Sequence, residues 1–112
     1  MKRYCLALDL KENAERIAEY EQIHKSVWPE VLEHIRGNGV LNMELYRTGN
    51  RLFMIMETVD DFNPDEMAAN DAASPLIQKW EAFMWTFQQP LPWAKPGEKW
   101  IMMDRIFTSE ED

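Results

Sequence analysis

The sequence predicts an α+β protein with a ferredoxin-like βαββαβ order, in which helices cover one face of an antiparallel four-stranded sheet. Apolar residues alternate near the N-terminus, and two apolar runs in the middle of the chain are joined by the turn-forming pair Gly49-Asn50. Helical spacing of apolar residues precedes and follows that hairpin. With 112 residues the chain has the length of one domain. We expect residues 1–108 to form this domain and residues 109–112 to be an acidic C-terminal tail.

The first strand and the first two helices follow from local signals. Residues 2–10 alternate between two faces, which predicts the first strand. Asn13 is suited to cap a helix that starts at Ala14. Pro29 is suited to the first position of a second helix, because proline loses no helical hydrogen bond there, and residues 37–39 (Gly-Asn-Gly) end that helix.

The second half of the chain repeats this alternation of strand and helix. Residues 40–48 and 51–59 are predicted to form the hairpin. Asn63 opens a short helix, and Ser74-Pro75 opens a longer one that we expect to continue through Phe87. Residues 90–97 contain three prolines and are predicted to form a loop before the last strand.

The last two predicted strands are apolar on both faces. In the third strand Leu52, Met54 and Met56 alternate with Phe53 and Ile55, and the fourth strand, Trp100 to Phe107, is similar. Helices can cover only one face of a sheet, so the other face needs a partner. A second copy of the chain, paired sheet to sheet or closing a shared barrel, predicts a homodimer with a dimeric α+β barrel architecture.

Charge and composition exclude several classes of function. With 20 acidic and 12 basic side chains, and no cluster of Lys or Arg, the chain is not expected to bind nucleic acid. The longest apolar run, residues 52–56, is far shorter than a membrane span requires, so no membrane partner is expected. A single cysteine, without CxxC spacing or a signal-like apolar core, predicts a cytoplasmic protein without a metal site.

The side chains best suited to chemistry are Tyr20 and His24, which lie one helical turn apart. Histidine can both take up and release a proton near neutral pH, and a neighbouring phenol can orient a substrate oxygen or share that proton. Trp28 and Trp80 offer flat aromatic faces of the kind on which pyranose rings pack. Each of these residues fits the alternative of simple core packing as well. The other histidine, His34, is interpreted as a solvated helix position.

The chain resembles a known family in the segment that contains these residues. Residues 20–30, Tyr-Glu-Gln-Ile-His-Lys-Ser-Val-Trp-Pro-Glu, are similar to the Tyr-x-x-x-His-x-x-x-Trp-Pro-Glu signature of the L-rhamnose mutarotase family. The similarity continues through Gly39, Asn42, Tyr46, residues 50–53 and residues 78–80, so it covers most of the chain.

This resemblance implies a dimeric ferredoxin-like subunit that interconverts sugar anomers without a cofactor. It implies that His24 is the proton donor and that Tyr20 and Trp80 line the sugar pocket. In the corresponding mechanism His24 is the general acid towards the ring oxygen, and Tyr20 holds the neighbouring hydroxyl or relays a proton. Trp28 is a further candidate substrate-binding residue. Two positions depart from the L-rhamnose pattern: Met43 stands where a tyrosine is typical, and Glu81 replaces the second tryptophan of a pair. Both are candidate substrate-binding residues. The segment from Trp80 to Pro92 resembles the branch associated with L-fucose catabolism, which favours L-fucose over L-rhamnose.

Two other functions remain open from the sequence. The same architecture occurs in cofactor-free oxygenases and decarboxylases, and a fold alone does not determine function. A non-catalytic sugar-binding or regulatory module would also use an aromatic cavity. The first alternative predicts oxygen uptake with a quinol-like substrate, and the second predicts ligand-induced stabilisation without faster anomer exchange.

Overall fold

The computed structural model describes residues 1–110, so the last two residues of the predicted acidic tail lie outside the described part. The helices are α1 (Ala14–Ile23), α2 (Pro29–Gly37), α3 (Pro64–Ala73) and α4 (Pro75–Trp85), with a 3₁₀ turn at His24–Ser26. The strands are β1 (Lys2–Leu10), β2 (Val40–Thr48), β3 (Arg51–Thr58), β4 (Gln88–Gln89) and β5 (Ile101–Met102). In residues 1–110 no helix combines the length and the apolar character that a membrane span needs.

The sheet is antiparallel and has the strand order β2-β3-β1-β4, with β5 also paired to β1. This is the order that the ferredoxin-like prediction requires. The register places Leu8 opposite Leu52 and Tyr4 opposite Met56, so these residues share one face. The predicted fold class is confirmed.

The fourth strand differs from its prediction. In place of one strand from Trp100 to Phe107, the edge of β1 is shared by β4, which pairs at Asp9 and Leu10, and β5, which pairs at Leu6 and Ala7. After Met102 the chain leaves regular structure. Continuing the β5 register would place Arg105 opposite Arg3, and like charges directly across a ladder are destabilising.

The last helix is also shorter than expected. It ends at Trp85 instead of continuing through Phe87, because Gln88 is already paired with Leu10 in the sheet. The Phe87 carbonyl accepts a hydrogen bond from the Lys11 N–H at 2.9 Å, which fixes the turn between helix and strand.

The core lies between the helices and one face of the sheet, in two apolar clusters. The buried residues of the first cluster are Leu10, Tyr20, Leu52, Met84 and Phe87, with Trp80 and Phe83 packed against them. The buried residues of the second cluster are Val40, Met56 and Phe62, with Met43 and Met54 packed against them. By the strand register, every sheet residue of both clusters points to the same face.

The opposite face of the sheet, here called the open face, contributes no residue to either cluster. It carries half-buried apolar side chains, among them Cys5, Phe53 and Ile55, and the exposed ring of Tyr46. The open face also holds Asp9, which is buried and accepts two hydrogen bonds from the Arg51 guanidinium, at 2.8 and 3.2 Å. The two-sided apolar character predicted for β3 is therefore present in the structure.

Candidate active site

The segment with the sequence signature folds as the end of one helix, a tight turn and the start of the next helix. The Asn13 side chain caps α1 by accepting the Arg16 N–H at 3.0 Å. Helix α1 ends at Ile23, the 3₁₀ turn follows, and Pro29 occupies the first turn of α2. This path gathers Tyr20, His24 and Trp28 at one end of the helical layer.

His24 packs edge-on against the Tyr20 ring, with ring centroids 4.3 Å apart and an interplanar angle of 82°. Its Nδ1 lies 2.9 Å from the main-chain carbonyl oxygen of Tyr20. A carbonyl oxygen can only accept, so Nδ1 carries the hydrogen and donates it. In the neutral ring, Nε2 therefore bears the free lone pair.

Burial lowers the pKa of His24 below its usual value of 6.5, and the hydrogen bond to the Tyr20 carbonyl opposes this in part. Desolvation disfavours the charged imidazolium, so the ring is mainly neutral at pH 7. At neutral pH Nε2 of His24 is therefore able to accept a proton.

Tyr20 is almost enclosed, with 3% of its surface exposed, and stacks on Phe87 with a centroid separation of 5.8 Å. Its hydroxyl oxygen accepts a hydrogen bond from Nε2 of Gln88 at 3.0 Å. Burial raises the pKa of Tyr20 to about 12, although the hydrogen bond from Gln88 acts in the opposite direction. The phenol therefore keeps its proton at neutral pH.

Trp28, Trp80 and Phe83 form an aromatic wall beside this pair. The Trp28 and Trp80 rings meet edge to face with centroids 4.9 Å apart, and Trp28 stacks on Phe83 at 6.1 Å and 9°. Trp80 also approaches His24, at 6.0 Å between centroids. Both tryptophans are half-buried.

The structure thus brings together Tyr20, His24, Trp28 and Trp80, but it places the two specificity candidates differently. Met43 lies opposite Met56 in the register and packs in the second apolar cluster, which has no member in common with the first. Glu81 follows Trp80 on α4, and its carboxylate accepts a hydrogen bond from Gln78 at 3.3 Å. Adjacent helix positions do not face the same side, so Glu81 and Trp80 point in different directions.

Two residues have contacts that the sequence did not indicate. Gln88 was not among the candidates, since glutamine is usually a surface residue and nothing in the local sequence marks it as buried. The interpretation of His34 as solvated is wrong: it is half-buried, and its Nε2 lies 2.7 Å from the Asp71 carboxylate, which links α2 to α3.

Two surface depressions lie near α1. One, of about 520 Å³, lies between α1 and the β2–β3 turn and includes Ile17 and Arg47 in its lining. The other, of about 590 Å³, is lined by residues of α1, α4 and β4, including Gln88. Neither is lined by Tyr20 or His24, so the predicted monosaccharide cavity is not one of these two. Within residues 1–110, no group of three or more His, Cys, Asp or Glu side chains is placed to hold a metal ion.

Comparison with known proteins identifies the family. A family model described as L-rhamnose mutarotase matches residues 3–109. The chain belongs to the L-rhamnose mutarotase family. The resemblance noted in the signature segment is therefore confirmed, and so is the prediction of an isomerase that interconverts sugar anomers.

Within the L-rhamnose mutarotase family, the relatives differ in similarity. An L-fucose mutarotase from Xanthomonas campestris pv. campestris is 46% identical, over 99% of this chain and 90% of that protein. An L-rhamnose mutarotase from Phocaeicola vulgatus is 33% identical, over 75% of this chain and 77% of that protein. The crystal structure of an L-rhamnose mutarotase from Formosa agariphila has a TM-score of 0.72, covers 98% of this chain and 100% of its own, and is 22% identical. This last likeness supports the fold.

Proposed function

We propose that the protein is an L-fucose mutarotase, which interconverts the α and β pyranose forms in carbohydrate catabolism. The observation that carries this proposal is the 46% identity to an L-fucose mutarotase over nearly the whole of both chains. The segment from Trp80 to Pro92, which resembles the branch associated with L-fucose catabolism, supports the same choice. L-rhamnose remains the second candidate, because the family and several relatives carry that name.

The proposed reaction is ring opening to the aldehyde followed by reclosure. The anomeric hydroxyl loses its proton to Nε2 of His24, the bond between C1 and the ring oxygen breaks, and the ring oxygen takes the phenolic proton of Tyr20. The imidazolium that forms beside the phenol favours the phenolate and so eases this transfer. After rotation about the C1–C2 bond, the ring closes on the other face of the aldehyde and both protons return.

This order of steps differs from the one that the resemblance implies. A lowered pKa leaves His24 neutral at pH 7, which supports proton acceptance during ring opening and proton donation during reclosure. Trp28 and Trp80 would hold the apolar face of the sugar. No step of this mechanism calls for a cofactor.

Anomer exchange of several sugars tests the proposed function directly. We expect saturation-transfer NMR to show faster exchange for L-fucose than for L-rhamnose, D-galactose and D-ribose, each compared with buffer alone. Faster exchange of L-rhamnose would reassign the substrate. If the protein accelerates anomer exchange of none of these sugars but consumes oxygen with a quinol in an oxygen electrode, the oxygenase alternative is supported. If a sugar raises the melting temperature without faster anomer exchange, the protein is a sugar-binding module.

We also propose that the chain acts as a homodimer through its open face. Helices cover the other face, and the open face keeps the half-buried Phe53 and Ile55 together with Tyr46, which is 51% exposed. Ile106 and Phe107, beyond the last strand, are 96% and 78% exposed. Apolar side chains left uncovered in this way are typical of surfaces that bind another protein chain. A cytoplasmic location is proposed on the sequence grounds given above.

A charge on the open face should separate the subunits. We expect the wild-type chain to sediment at twice 13.3 kDa and an Ile55→Glu variant at 13.3 kDa, because a buried unpaired carboxylate destabilises an interface. Ala69→Glu, an exposed position on α3, is the matched control and should remain dimeric. A wild-type mass of 13.3 kDa at micromolar concentration would contradict the dimer.

A further inference from the structure

Gln88 places a polar group inside the first apolar cluster. Its Cα is paired with that of Leu10, so its side chain points to the helix-covered face, where 5% of its surface is exposed. Burying an amide is unfavourable unless it is hydrogen-bonded, and an apolar side chain of similar size would fill this place at lower cost. The partner that compensates the amide is the Tyr20 hydroxyl.

The direction of this hydrogen bond restricts the phenolic proton. Because Nε2 of Gln88 donates to the Tyr20 oxygen, the O–H of Tyr20 must point away from Gln88. Among residues 1–110 the Tyr20 hydroxyl takes part in this hydrogen bond as acceptor and in none as donor. The ring neighbours of Tyr20 are Phe87, which offers an apolar face, and His24. The structure therefore contains a buried phenol whose oxygen is satisfied and whose proton is not.

We propose that Gln88 is a positioning residue, which holds the proton of Tyr20 in the direction of the bound sugar. This inference rests on the proposed mutarotase function and acts through Tyr20. The same hydrogen bond stabilises the phenolate, so it opposes the effect of burial on the pKa of Tyr20. Gln88 thereby orients the O–H of Tyr20 and also makes the phenol a stronger acid.

Gln88→Glu should reverse the hydrogen bond. An ionised carboxylate only accepts, so the Tyr20 proton would turn towards it and away from the sugar. We expect kcat for L-fucose exchange to fall by about a hundredfold near pH 8, within the range of general acid catalysis, with little change in KM. At lower pH the carboxyl is protonated and can donate again. The ratio of variant to wild-type rate should therefore rise as the pH falls through the pKa of the introduced group.

Two further variants separate positioning from a structural role. Gln88→Met removes the donor without reversing the bond, so we expect a loss of about tenfold and a ratio to wild type that does not vary with pH. In a Tyr20→Phe background, Gln88→Glu should lower the rate no further. Gln22→Glu, an exposed position on α1, controls for the added charge and should match the wild type. Thermal melting checks that each variant is folded.

The outcomes distinguish this inference from the proposed function. If the wild type accelerates exchange and Gln88→Glu has a pH-independent ratio, or matches Gln22→Glu, the positioning role is wrong and the mutarotase function stands. If the wild type accelerates no exchange, the proposed function fails and this inference fails with it. If Gln88→Glu does not fold, a wild-type rate in Gln88→Met overturns the role.

Discussion

Replacing His24 with alanine should lower the rate of anomer exchange by about 10²–10⁴-fold, the usual contribution of general acid–base catalysis. Nε2 of this ring is the proton acceptor of the proposed mechanism, and its lone pair is free because Nδ1 donates to the Tyr20 carbonyl. The fold should persist, since the ring is only half-buried at the end of α1. Saturation-transfer NMR on L-fucose measures the rate.

The second histidine provides the control for this variant. His34→Ala loses the contact with Asp71 between α2 and α3, so it should lower the melting temperature while leaving exchange close to the wild-type rate. If His24→Ala exchanged L-fucose as fast as the wild type, His24 would have no part in the mechanism.

The pH dependence of the wild type follows from the same residue. The pKa of His24 lies below 6.5, so the neutral base is present at neutral pH and is lost as the pH falls through that pKa. The exchange rate should therefore be level near pH 7 and decline on the acid side. Folding stability should also decline as the pH falls below about 6.5, because the unfolded chain then binds a proton that the buried ring resists. A rate that rose on acidification would instead identify the imidazolium as the reactive form.

Tyr20→Phe should lower kcat by about a hundredfold and keep the position of His24. The substitution removes only the hydroxyl, while the main-chain carbonyl that orients His24 is unchanged. The acid limb of the pH profile should therefore stay where it is in the wild type. The variant should also lose about 1–3 kcal/mol of stability, because the buried amide of Gln88 is left without its partner.

Tyr46→Phe is the matched control for the loss of a phenol. Tyr46 lies on β2 with half of its surface exposed, and its hydroxyl donates to Glu44. We expect unchanged exchange in this variant. If Tyr20→Phe exchanged L-fucose anomers as fast as the wild type, Tyr20 would be a core residue without a role in catalysis. Its burial is consistent with that alternative.

The elements with strong local signals were predicted well from the sequence. The cap at Asn13, the prolines that begin α2 and α4, and the Gly49-Asn50 turn all act within a few residues, so their effects can be read without knowing the fold. The fourth strand could not be predicted in this way. Its length depends on which residues of β1 are left unpaired by β4. It also depends on Arg3, which would lie opposite Arg105 if the strand continued and which is far from it in the sequence.

The same distinction applies to the candidate site. Tyr20, His24 and Trp28 lie within one short segment, so a signature in that segment was enough to group them. Gln88 reaches Tyr20 only because β4 pairs with the end of β1, a contact between residues far apart along the chain. The two-residue turn at Gly49-Asn50 already pairs Met43 with Met56, but the packing of Met43 in the second apolar cluster also depends on Phe62, which lies outside the hairpin.

The partner of Nδ1 in His24 is a peptide oxygen of α1, not a side chain. No exchange of side chains at position 20 can remove that oxygen, and only a break in the last turn of the helix would displace it. The tautomer of His24 is thus independent of the side chains of Trp28 and Trp80. Substitutions at Trp28 and Trp80 should therefore leave this tautomer in place, whereas replacing Trp80, whose ring centroid lies 6.0 Å from that of His24, should alter the burial that lowers the His24 pKa.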